Sequence, residues 1–304
     1  MQIKKVKNCP WLNTINNYNR NELPIIKTTA IRFLMLTISI FLIFDGYSQK
    51  DSVNNFNPYR VCKKIELPIV LVGLSFFAYQ SVKLDAHSSL ESKDVSNYNK
   101  DQVNSFDGKA FRFSEDGYKQ AGQISDYVMG ASVLAPALLL IDKKIRKDWA
   151  DIFTLYGEAQ FTQSMIYLGV TYPIRRARPF VYNTNLSLED RSGENSTNSF
   201  FSGHTSSTTT ATFFMAKVYS DYHDLSTLNK ILIYTCASIP PAVVGYHRIK
   251  AGRHFPTDVI TGALVGVLSG VLIPEFHKIK PKGLSVLPIY NDQFKGLAMR
   301  LYLH

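Results

Sequence analysis

The chain has 304 residues, a mean hydropathy near zero, and 45% hydrophobic against 19% charged residues, which excludes intrinsic disorder, collagen-like repeats and low-complexity fibres. Three cysteines in this length exclude a disulfide-stapled miniprotein. The 34 basic against 24 acidic residues leave a net charge of +10, which calls for an anionic partner such as nucleic acid, anionic lipid or a phosphorylated substrate.

Along the chain, Arg32 precedes an apolar run from Phe33 to Phe44, followed by Gly46-Tyr47-Ser48. A basic flank, an apolar run and a small-x-small site predict a secretory signal peptide over residues 1–48, and hence an exported, periplasmic protein. The run is short for a membrane span. Six apolar or amphipathic stretches of helical length follow, at Ile65–Val82, Tyr127–Ile141, Phe153–Val170, Thr205–Tyr219, Lys230–Tyr246 and Asp258–Ile273. Residues 49–125 form an N-terminal helix with a polar insert, and 126–280 a helical catalytic domain. Residues 281–304 form a tail in which Leu284–Tyr290 and Phe294–Leu303 alternate like two short strands. The core is all-α. Glu158, Gln160 and Gln163 in the third stretch and Lys217 with many Ser/Thr in the fourth resist membrane insertion. The balance favours a periplasmic domain, soluble or bound at the membrane surface, with an integral inner-membrane protein as the alternative.

Three clusters at predicted helix ends carry candidate chemistry. Arg175-Arg176-Ala177-Arg178-Pro179 closes the third stretch, Pro179 stopping the helix; its arginines suit either a solvated edge or a phosphate clamp. Ser202-Gly203-His204 opens the fourth stretch, where an N-cap serine and free backbone amides suit an anion; a plain capping turn explains the Ser and Thr residues but not His204. Arg248, His254 and Asp258 lie at the start of the sixth, with His254 and Asp258 one helical turn apart. His247, His254 and Asp258 also offer a metal-ligand reading. The pattern is not the nucleophile elbow of serine hydrolases.

The ordered set Arg178-Pro179, Ser202-Gly203-His204 and Arg248-x5-His254-x3-Asp258 resembles the type 2 phosphatidic acid phosphatase superfamily, over about residues 60–275. That superfamily spans lipid phosphatases, class A acid phosphatases and vanadium haloperoxidases. The resemblance implies a six-helix core bundle and a phosphatase with no cofactor and no metal. His254 would attack phosphorus, Asp258 orient it, and His204 protonate the leaving oxygen. Arg178, Arg248, Ser202 and Gly203 would bind the phosphoryl oxygens. The family's first-motif lysine is Thr171 here, and Arg175 or Arg176 is expected to substitute. Phe201 and His247 replace two peripheral family residues, a proline and a serine. The expected substrate is a lipid-linked phosphate monoester or diphosphate (phosphatidate, polyprenyl diphosphate or lipid A class) at a membrane surface, and nucleic acid is not an expected partner. The alternatives are an acid phosphatase for small phosphoesters, a vanadium haloperoxidase, and a degenerate phosphate-binding member.

Overall fold

Helical periodicity becomes six long helices in the computed structural model, which describes residues 57–279 and the backbone of 284–290 and 295–301. They are α1 (Lys63–His87), α2 (Tyr118–Leu134, continued as 3₁₀ turns through Ile141), α3 (Trp149–Thr171), α4 (Gly203–His223), α5 (Thr227–Lys250) and α6 (Pro256–His277). Two 7-residue strands, β1 (Leu284–Tyr290) and β2 (Lys295–Leu301), pair antiparallel with Leu284 opposite Leu301. Residues Asn55–His304 belong to one unit. The signal-peptide expectation for residues 1–48 lies outside the described residues.

The helices alternate in direction. Where α1 and α3 end, the His87 and Tyr172 rings stack at 4.8 Å. Where α2 begins and α5 ends, Tyr118 packs on Gly252. The opposite end holds the starts of α1 and α3 and the finishes of α2, α4 and α6. It is tied by Tyr59 to Asp221 at 2.8 Å, Tyr222 to Asp148 at 2.8 Å, His223 to Asp142 at 2.9 Å and Lys278 to Asp221 at 2.6 Å.

Helices α3 and α4 form the centre, where Leu155, Ala159, Phe214 and Val218 are buried together. The Ser/Thr run of α4 is buried because its hydroxyls are satisfied along the helix: Thr208, Thr209 and Thr210 donate to the carbonyls of His204, Thr205 and Ser206 at 2.7–2.9 Å. Glycines let α6 approach α4 to backbone contact. A Cβ at Gly262, Gly266 or Gly270 would lie 2.5–2.6 Å from the carbonyl oxygen of Ser202, Ser206 or Thr210.

The outer helices show the reverse pattern. Ile65, Ile69, Val72 and Phe76 on α1, Leu134 and Leu138 beside α2, Leu228, Ile231 and Leu232 on α5, and Ile260, Leu264 and Leu268 on α6 all face outward. Four helices, at Lys63–His87, Glu115–Ile141, Thr227–Lys250 and Pro256–His277, are long and apolar enough to cross a membrane. An unpartnered apolar belt of this extent is the surface of a membrane protein. This displaces the soluble or peripheral reading in favour of the integral alternative. The polarity of the third and fourth stretches reflects a central position, shielded from lipid by the other helices.

Candidate active site

The three sequence clusters converge at the end of the bundle where α1, α3 and α5 finish. Pro173 follows the last turn of α3, so the helix stops at Thr171 and not before Pro179 as its sequence suggests. Arg178 has extended backbone (φ −77°, ψ 156°), and Pro179 opens a 3₁₀ turn. Backbone hydrogen bonds lace the segments together. The Arg178 amide donates to Ser196 O at 2.9 Å, that of Ser199 to Arg176 O at 3.0 Å, that of Phe180 to Gly252 O at 3.0 Å, and that of Ser202 to Asp258 O at 3.0 Å. Gly252 turns the chain back after α5 with φ +64°, and a Cβ there would lie 2.7 Å from the Tyr118 ring.

His254 is 2% exposed, and its Nδ1 lies 2.7 Å from the Ser199 carbonyl oxygen. A carbonyl only accepts, so Nδ1 carries the proton and the Nε2 lone pair is free for an electrophile. Burial, then the charges of Arg178 and Arg248, hold the imidazole well below the ordinary histidine range, in its neutral nucleophilic form. Asp258 Oδ2 is 3.9 Å from Nδ1, beyond hydrogen-bond reach. It accepts instead from Ser199 Oγ at 2.6 Å and the Phe255 amide at 2.8 Å. Asp258 thus fixes the backbone on either side of the imidazole, and Ser199 supplies the orienting acceptor.

Arg178 and Arg248 are buried (6% and 7% exposed), and the Nε of each has no hydrogen-bond partner. Burial, with the neighbouring charges of Arg248 and Arg253, lowers Arg178 to about 9. Two buried cations with orphaned donors beside a neutral imidazole make a cradle for an anion. Ser202 caps α4, its Oγ 2.9 Å from Thr205 Oγ1 and accepting from the Thr205 amide at 3.4 Å. The first-turn amides of α4 have no acceptor within the helix. Gly203 lies at a close approach, where a Cβ would sit 3.1 Å from the Tyr167 ring.

Arg176, expected at the phosphate, is engaged elsewhere. It donates to Asp258 Oδ1, to Asp107 Oδ2 at 2.7 Å and to Thr257 Oγ1 at 2.8 Å, with its guanidinium 4.4 Å from the Phe255 ring centre. Arg175 is exposed and donates to the Ser89 carbonyl at 2.9 Å. Asp107, from the polar insert, is 1% exposed and also accepts from the Thr257 amide at 3.0 Å. Burial opposes its ionised form, but the bonds from Thr257, Asn104 and Arg176 prevail and hold the carboxyl below the usual range. The insert is therefore anchored to the loop that carries His254, with Phe111 packed edge-on against Phe255 at 5.9 Å.

His204 Nε2 lies 3.1 Å from Asp126 Oδ1, which also accepts from Arg248 Nη1 at 3.2 Å. Sequence reasoning passed over Asp107, Asp126, Ser199 and Arg253. Only Arg253 sits beside a motif residue and was within reach of that reasoning. Among the described residues, one trio of side chains brings metal-ligand atoms within 4.8 Å of one another: Glu66, Glu158 and His277. His247, His254 and Asp258 do not form such a group.

Residues 148–281 match the family model of the PAP2 superfamily. No curated protein matches it. Among solved structures it is similar to a transmembrane PAP2 type phosphatidylglycerolphosphate phosphatase from Bacillus subtilis, with 18% identity over 68% of this chain and 94% of that one and a TM-score of 0.41. It is also similar to LpxE from Aquifex aeolicus, with 22% identity over 53% and 85% of the chains and a TM-score of 0.34.

Proposed function

We propose that the chain is a metal-independent phosphatase acting on lipid-linked phosphate monoesters or diphosphates through a phosphohistidine. One observation carries the reading: the neutral His254, its Nε2 freed by the Nδ1–Ser199 bond, lies in a site whose two buried arginines have unpaired donors. In the first step Nε2 attacks phosphorus and the ester P–O bond breaks. His204 gives its proton to the departing oxygen, while Arg178, Arg248 and the amides at the start of α4 stabilise the charge on the phosphoryl oxygens. In the second step His204 takes a proton from water, the resulting hydroxide attacks phosphorus, and the N–P bond breaks to release phosphate. Asp258 and Ser199 hold the imidazole through both steps.

Lipid substrates fit because the site lies at the end of a bundle wrapped in outward-facing apolar side chains. We place the site on the membrane face away from the cytoplasm. The short connection at the opposite end carries Lys143, Lys144, Arg146 and Lys147, the pattern of a cytoplasmic loop.

The test is phosphate release by the detergent-solubilised full chain from short-chain phosphatidate and from an aryl phosphate, in EDTA, with His254→Ala as control. Turnover that survives EDTA, favours the lipid and vanishes in the variant is the expected result. Absence of turnover on both substrates would overturn the reading and favour a phosphate-binding member.

A further inference from the structure

The proton donor His204 stands among cations. Arg178 faces it from the segment after α3, Arg248 from α5 and His254 from the loop before α6, while Tyr167 of α3 packs on the adjacent Gly203. Burial, followed by the charge of Arg248, disfavours the imidazolium that the first step requires, and the Asp126 carboxylate of α2 opposes both. A proton donor surrounded by arginines needs such a counter-charge.

We propose that Asp126 is the positioning residue of His204, holding its ring and its proton ready for the leaving oxygen; the inference rests on the phosphatase reading above. Its oxygen Oδ1 accepts from His204 Nε2 at 3.1 Å and from Arg248 Nη1 at 3.2 Å, and Ser125 Oγ receives the same Nη1 at 3.4 Å. One carboxylate oxygen therefore joins the proton donor to a phosphate ligand.

The bond also fixes the tautomer. With Nε2–H donated to Asp126, Nδ1 is the nitrogen that exchanges the proton. It gives it to the leaving oxygen when the P–O bond breaks, and takes one from water when the N–P bond breaks. The second oxygen of Asp126 remains open, in a side chain that is 58% exposed, so the residue reaches the site mouth without being locked in the core. No sequence motif marks it. It lies 78 residues before its partner, on a helix that carries none of the three clusters.

The experiment compares Asp126→Asn and Asp126→Glu with the parent full chain in detergent. Labelled histidine ring signals are followed by NMR against pH, and steady-state turnover is measured on the same preparations. The chain has seven histidines, and His204→Asn identifies the relevant signal by its disappearance. For Asp126→Asn the expected result is a His204 titration moved down by about one pH unit, with kcat lowered about tenfold and KM little changed. The alkaline limb of the kcat profile moves down with it, and Asp126→Glu recovers most of both. A His204 titration unmoved in Asp126→Asn would overturn the inference. So would a lowered KM at unchanged kcat, which would make Asp126 an anion competing with substrate on Arg248. If the parent turns over neither substrate, the phosphatase reading fails, while the titration still decides whether Asp126 governs the proton on His204.

Discussion

Replacing Arg176 distinguishes a phosphate ligand from a buried strut. Its side chain is 25% exposed, while its carboxylate partners Asp107 and Asp258 are 1% and 0% exposed. Removing one member of a buried ion pair costs about 3–5 kcal/mol, because the remaining charge is stranded. Here two carboxylates lose a shared cation, and the Phe255 face loses its guanidinium. The partial exposure of Arg176 admits water and places Arg176→Ala near the lower end, at about 3 kcal/mol of lost stability. Arg176→Lys is expected to recover only part of this, since one ammonium cannot fork between two carboxylates as a guanidinium does. Unfolding by SDS titration of the solubilised protein measures the stability change. Turnover should show kcat falling with KM little altered, because Asp258 frames His254 and does not touch substrate. Unchanged stability with a KM raised tenfold in Arg176→Ala would refute the strut and return Arg176 to the phosphate.

The depressed His254 fixes the sign of the acid limb. In the proposed mechanism His254 attacks as neutral imidazole, and its protonated form is disfavoured in the fold, so activity on the acid side should persist well below pH 6.5. A limb in kcat/KM at or above pH 6.5 would contradict this. Gly266→Ala should cost about 1–3 kcal/mol in SDS unfolding, because its Cβ would meet Ser206 O and Thr209 Cβ at 2.5 Å and force α4 and α6 apart. Gly130→Ala, with nothing within 4 Å of the added carbon, serves as the neutral control. Cys62 is exposed at the start of α1, opposite the site. In a background lacking Cys9 and Cys236, an impermeant maleimide should label Cys62 from one face of sealed vesicles and Thr184→Cys from the other; labelling of both from one face would break the alternating bundle.

The motif residues were legible because each cluster joins a helix terminus to side chains with narrow chemical uses. Ser202-Gly203-His204 is a cap and an anion site within three residues, and the Arg248 to His254 spacing spans one turn through Gly252. The helices were legible from periodicity, although Tyr127–Ile141 starts nine residues after α2 does, at Tyr118, because polar residues fill its first turns. Asp107 and Asp126 left no local trace. Their partners lie 69 and 78 residues away at Arg176 and His204, and a lone aspartate in a polar insert or a helix matches a solvated one. The membrane character was obscured for a different reason. Hydropathy reads each helix singly, whereas α3 and α4 are polar because the other helices cover them. The alternating bundle also puts the chain before α1 at the end opposite the site. A cleaved signal at residue 48 and an outward-facing site cannot both hold in this topology, and Cys62 labelling addresses that conflict.

The charge at the site bears on the lysine replaced by Thr171. That position is buried at 1% exposure and carries no charge. Arg176 does not restore it, since Asp107 and Asp258 both lean on its guanidinium. Arg253 lies close enough to Arg178 that its charge, after burial and Arg248, helps lower Arg178 to about 9. Arg253, on the loop that carries His254, is thus a further positive charge beside Arg178. Arg178 and Arg248 face both imidazoles, Arg253 adds its charge at Arg178, and the Asp126 and Asp85 carboxylates oppose them. Arginines that attract an anion also disfavour the imidazolium of a nearby histidine, so a site built this way needs a counter-charge such as the Asp126 carboxylate beside His204.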